Sequence, residues 1–88
     1  MRRNPDFLLR QVAGREVIVP VGKAVSAFPG MITVNDSGKF IWELLEQPCS
    51  FDHVVEAMTQ QYAVDAETAR KDATVFIRRL QSVQAILE

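Results

Sequence analysis

The hydrophobic pattern changes period along the chain. Two apolar runs, Phe7-Leu8-Leu9-Arg10-Gln11-Val12 and Arg15-Glu16-Val17-Ile18-Val19, flank Ala13-Gly14, and the second is closed by Pro20 and Gly22. They predict antiparallel strands over 7–12 and 15–20 joined by a tight turn, with Gly14 supplying the positive φ. Gly22 to Gly30 is rich in small residues and holds Pro29, so it reads as a connecting loop with Phe28 as its apolar anchor. Met31-Ile32-Thr33-Val34 then predicts a third strand over 31–34. It stops at Asn35, a helix N-cap residue followed by Asp36, whose carboxylate suits the positive end of a helix dipole.

Beyond Asn35 the spacing becomes helical. In a helix over 36–46, Lys39, Glu43 and Glu46 are the polar positions from Lys39 onward, and Phe40, Ile41, Trp42, Leu44 and Leu45 cover the rest of the circumference, so this helix is central and mostly buried. Gln47-Pro48 ends it. Ser50 caps a second helix over 51–61 with Val54, Met58 and Tyr62 as its stripe. Asp65 caps a third over 66–83, where Ala69, Ala73, Phe76, Leu80 and Val83 recur at spacings of four and three. The tail Ala85-Ile86-Leu87 is apolar enough to pack back as a short extended piece. The order predicts one α+β domain over 1–88: a three-stranded antiparallel sheet followed by three helices, winged helix-turn-helix-like.

Composition narrows the function. Ten Lys and Arg against eleven Asp and Glu give a net charge of −1, so no global positive field draws nucleic acid or anionic lipid. Charge is banded: residues 1–30 carry +3, 31–66 carry −5 and 67–88 carry +1. No stretch approaches the roughly 20 apolar residues of a membrane span, so no membrane role is expected. Cys49 is the only cysteine, which excludes an intramolecular disulfide and points to the cytoplasm. One Cys, one His and scattered carboxylates have no metal-ligand spacing, so neither metal nor cofactor is expected. Catalysis is not expected either. Ser37 and Ser50 stand at helix starts, His53 has no paired nucleophile nearby in sequence, and Cys49 reads as a packing residue. Gly14, Gly22, Gly30 and Gly38 fall in turns and at a helix start, not in a phosphate-binding loop.

Two surfaces remain. A three-stranded sheet has two edges, and Met31-Ile32-Thr33-Val34 carries none of the Lys, Pro or charge that normally blunts one. An open edge there would accept an added strand from a peptide or from a second copy of the chain, giving a weak homodimer. Pattern alone leaves open whether this strand is an edge, lies in the middle or is covered by the tail. The second surface is the basic face of the third helix, Arg70, Lys71, Arg78 and Arg79, opposed within that stretch by Asp72. In a winged-helix regulator this would be the DNA-recognition helix, although the acidic band of the first two helices would repel phosphate.

Three segments carry a resemblance: Asn4-Pro5-Asp6-Phe7-Leu8-Leu9-Arg10, Val17-Ile18-Val19-Pro20-Val21-Gly22 and, above all, Gly30 to Leu45 with its Asn35, Gly38, Ile41 and Trp42. Together they resemble the PqqD family, the small chaperone-like proteins of pyrroloquinoline quinone biosynthesis and the related recognition elements of ribosomally made, post-translationally modified peptides. The resemblance implies the fold read above. It also implies a non-catalytic role: a precursor's leader segment adds as a strand beside the third strand, in the groove towards the third helix, and is presented to a modifying enzyme, often a radical S-adenosylmethionine enzyme. Carried onto this chain, the backbone contacts fall on Met31, Ile32, Thr33 and Val34. A flank such as Arg70, Ala73, Thr74 and Ile77 would line the groove, with Arg70 pairing a leader carboxylate; the sequence leaves open which flank faces the strand.

Overall fold

A computed structural model describes residues 1–27 and 30–88. The elements run β1 (Arg2–Arg3), β2 (Phe7–Val12), β3 (Arg15–Pro20), α1 (Ala24–Ala27), β4 (Ile32–Thr33), α2 (Asp36–Leu44), α3 (Phe51–Gln61), α4 (Ala66–Ser82) and β5 (Ile86–Leu87). The expected strands and three main helices are present, and the third strand is shorter than its apolar run. One turn of helix, α1, stands inside the segment read as a loop; the expected anchor Phe28 lies outside the described residues.

β2 and β3 form a hairpin in full register from Phe7↔Pro20 to Val12↔Arg15. Its turn places both Ala13 (φ 51) and Gly14 (φ 79) in the left-handed region, the geometry that matches strand twist in a two-residue hairpin. The sheet order is β2-β3-β4, with Val17↔Thr33 and Ile18↔Ile32 in register. β4 is therefore an edge. The tail does not cover it: β5 pairs instead with β1, Arg2 opposite Leu87 and Arg3 opposite Ile86. This clasp continues through the Asn4 amide, which donates to the Ala85 carbonyl at 2.9 Å, and through the Met1 and Cys49 backbones, which exchange hydrogen bonds.

All three long helices begin as their cap residues dictate. The side chains of Asn35, Ser50 and Asp65 accept from the amides of Gly38, His53 and Thr68, satisfying donors that a helix start leaves free. α4 ends in a Schellman turn, with the Ala85 amide on the Leu80 carbonyl and the Gln84 amide on that of Gln81. The core is built on Trp42, Ile41 and Leu45 of the α2 segment, against Ile18 and Ile32 of the sheet, Val54 and Met58 of α3 and Leu80 of α4. In α4 the buried stripe is Ala69, Ala73, Ile77 and Leu80. Phe76, expected in that stripe, is only partly buried and lies one step round the helix from it.

A groove between the edge strand and helix α4

The backbone of β4 divides by phase. Val34 donates its amide to the Glu16 carbonyl at 3.0 Å, and in an antiparallel ladder residues two apart share the same phase. Ile32 therefore also spends its N–H and C=O on β3, while those of Thr33 point away from the sheet. Side chains follow the same alternation. Ile32 and Val34 are buried in the core, and Thr33 and Met31 are exposed, Met31 by 55%. Of the four residues expected to contact a ligand through their backbone, Thr33 is thus the strand residue with free groups to offer.

Facing this edge is a groove of about 510 Å³. One wall is Thr33, Val34, Asn35 and Ser37; the other is Asp72, Val75, Phe76 and Arg79 of α4. The helical wall is one face, because positions i, i+3, i+4 and i+7 lie above one another. Val75 is 67% exposed, so with Phe76 it leaves apolar surface on the helical wall of the groove. Asp72 and Arg79 form no ion pair among the described residues.

The flank expected from sequence, Arg70, Ala73, Thr74 and Ile77, does not line this groove. Arg70 turns towards α3, its Nη1 3.5 Å from Asp52 Oδ1 and its guanidinium over the Phe51 ring at 5.5 Å. Ala73 and Ile77 are buried in the core, and Thr74 and Ile77 line a separate, smaller cavity with Met1, Phe51, Arg78 and Gln81. The physical reason is a one-residue ambiguity. Phe76 and Ile77 are both apolar and both keep helical spacing from Ala73 and Leu80, and one residue is about 100° of helix, so a core built on Phe76 turns a different face to the sheet from one built on Ile77. The residue that decides is Gly38. It is buried in the first turn of α2, and a Cβ there would meet Phe76 Cε1 at 2.8 Å. Phe76 thus lies over a helix start held by Asn35, which fixes both walls of the groove relative to each other.

Among the described residues no group of three or more His, Cys, Asp or Glu could hold a metal ion. Cys49, outside the groove, is pushed above its ordinary thiol pKa by burial, with the nearby N-terminal ammonium opposing that shift, so it stays a protonated packing residue at neutral pH. No helix of the described residues is long and apolar enough to cross a membrane.

Two solved structures share this fold. TbiB1 in complex with the TbiA(beta) leader peptide superimposes with a TM-score of 0.75 at 21% sequence identity, covering 97% of this chain and 93% of that one. A lasso peptide synthetase B1 complexed with the leader peptide gives a TM-score of 0.74 at 21% identity, covering 99% of this chain and 96% of that one. None of the curated proteins compared with the chain matches it in sequence. The sequence profile of the family described as Coenzyme PQQ synthesis protein D (PqqD) matches residues 9–86, from the first hairpin strand through α4 to the clasp strand. By that match the chain belongs to the PqqD family.

Proposed function

We propose that the chain is a non-catalytic peptide chaperone, which binds the leader segment of a ribosomally made precursor peptide by strand addition at β4 and presents the remainder to a modifying enzyme. The observation that carries this reading is the uncovered edge at Thr33, set beside an apolar helical wall of Val75 and Phe76. The solved structures that share the fold are described as leader-peptide complexes, which supports it. Main-chain hydrogen bonds to Thr33 would supply affinity that tolerates sequence. Alternate side chains of the leader would face α4 and set specificity. A bound leader raises the effective concentration of its tethered core at the enzyme, so the chaperone needs no catalytic group of its own. We assign the enzyme partner to the radical S-adenosylmethionine class, in a modified-peptide or quinone-cofactor pathway, on the family resemblance. The mixed charge of α4, with Asp72 on the same face as Arg79 and Arg70 turned to Asp52, argues against the winged-helix DNA-binding alternative.

The test is a backbone amide NMR titration of the labelled chain with the leader half of the precursor peptide encoded beside it. Shifts at Thr33, Val34 and Asn35 together with Val75, Phe76 and Arg79 are expected. Shifts confined to the Arg70, Thr74 and Ile77 flank would overturn the site. Salt-sensitive shifts with duplex DNA would overturn the function, and a mass that rises with concentration would assign the edge to self-pairing.

A further inference from the structure

The groove has a direction, and its charges follow it. At one end, Ile32 pairs with Ile18, two residues before Pro20; Pro20 pairs with Phe7, the Phe7 amide bonds the Asn4 carbonyl, and the Asn4 amide bonds Ala85 just past the C-terminus of α4. At the other end, the hydroxyl of Tyr62, shortly before α4 begins, donates to the carbonyl of Asp36, shortly after β4 ends. β4 and α4 therefore run antiparallel. Arg79 lies towards the Met31 end of the groove and Asp72 towards the Asn35 and Ser37 end. These two charges stand two helical turns apart, about 10 Å along the axis, with Val75 and Phe76 between them. Both are exposed and neither has an ionic partner among the described residues.

A strand added to β4 in the antiparallel sense, the pairing already used throughout this sheet, enters at the Asn35 end and leaves at the Met31 end. It runs parallel to α4, and its alternate residues face the helix. Three such residues span about 13 Å, which matches the distance between the two charges within the reach of long side chains. From this geometry we infer that the groove selects its leader by charge order: a basic residue facing Asp72, then an apolar residue two positions on against Val75 and Phe76, then an acidic residue two further on facing Arg79. The occupant is an extended peptide segment of pattern basic-x-apolar-x-acidic, read from its N-terminus. The inference rests on the strand-addition reading and adds direction and composition to it.

The test uses two synthetic peptides of identical composition, one containing Lys-Thr-Leu-Thr-Glu and the other Glu-Thr-Leu-Thr-Lys, titrated into the labelled chain with the precursor leader run in parallel. The basic-first peptide should bind about fivefold more tightly, a margin of the size two exposed pairs supply, and the margin should shrink as salt is raised. In the double variant Asp72→Arg with Arg79→Asp the preference should reverse. Equal affinities for both peptides, a preference that survives the double variant, or no binding of either peptide would each overturn the charge-order inference. The leader titration separates that failure from a deeper one. If the leader shifts Thr33 and Phe76, strand addition stands without charge order; if it does not, both fall.

Discussion

A methyl group on Gly38 would stand 2.8 Å from Cε1 and 3.1 Å from Cδ1 of Phe76. The first turn of α2 and the groove wall of α4 thus meet without room for a side chain between them. In an ordinary helix Gly→Ala gains about 1 kcal/mol, while forcing a methyl into a filled contact costs about 1–3 kcal/mol. Gly38→Ala should therefore lower stability by about 1 kcal/mol in urea unfolding, with an unchanged m-value, and displace the Phe76 ring. Adding Phe76→Leu should recover part of that loss. Strictly additive effects of the two substitutions would show that the ring does not feel the methyl group.

The same contact explains what the sequence could and could not tell. Asn35, Ser50 and Asp65 were legible as caps because each acts within three residues of itself. The hairpin was legible because β-branched runs flank a Gly-containing turn. The choice between Phe76 and Ile77 was not, since it depends on Gly38, far away in sequence but in contact in space. The clasp of β1 on β5 was equally silent: two-residue strands from opposite ends of the chain carry no periodicity, and the apolar tail revealed only that it packs. At the site, the lack of Lys, Pro and charge over 31–34 was legible, but that this strand is an edge, and the phase that leaves Thr33 free, are properties of pairing.

Among the described residues, two non-glycine residues occupy the left-handed region, Ala13 at φ 51 and Gln84 at φ 67. Ala13 sits in a two-residue hairpin turn where Asn before Gly is favoured, and Gln84 holds the position of a Schellman turn that Gly usually fills. A side chain in this conformation costs roughly 1 kcal/mol. Ala13→Asn and Gln84→Gly should each raise stability by about 0.5–1 kcal/mol, read as a higher urea midpoint. The Asn4 side chain bonds the Gln84 backbone carbonyl, so the clasp survives the substitution.

The cap of α4 gives the chain an acid-sensitive contribution. The carboxylate of Asp65 accepts the Thr68 amide at 2.7 Å, and that hydrogen bond lowers its pKa below the ordinary 3.8. A carboxyl depressed in the folded state contributes stability that is fully present above its unfolded pKa and is lost as pH falls through the folded one. Asp65→Asn keeps a capping oxygen but removes the titration. The parent's advantage over Asp65→Asn should therefore shrink as pH is lowered from neutrality through the carboxylate range. A pH-independent difference between the two would detach the cap from the acid response.

The phase of β4 makes proline a directional probe. At Thr33 the ring removes an N–H that faces away from β3, a position where edge strands tolerate proline. At Ile32 it removes a ladder hydrogen bond and disturbs a side chain that is 3% exposed in the core. Thr33→Pro should stay folded, within about 1 kcal/mol of the parent, and lose leader affinity. Ile32→Pro should lose stability first, so a fall in its affinity carries no information about the edge. The comparison needs only thermal unfolding and the same peptide titration on both variants. If folded Thr33→Pro binds the leader as the parent does, the main chain of β4 is not the ladder, and the peptide is held by the helical wall of Val75, Phe76 and Arg79 alone.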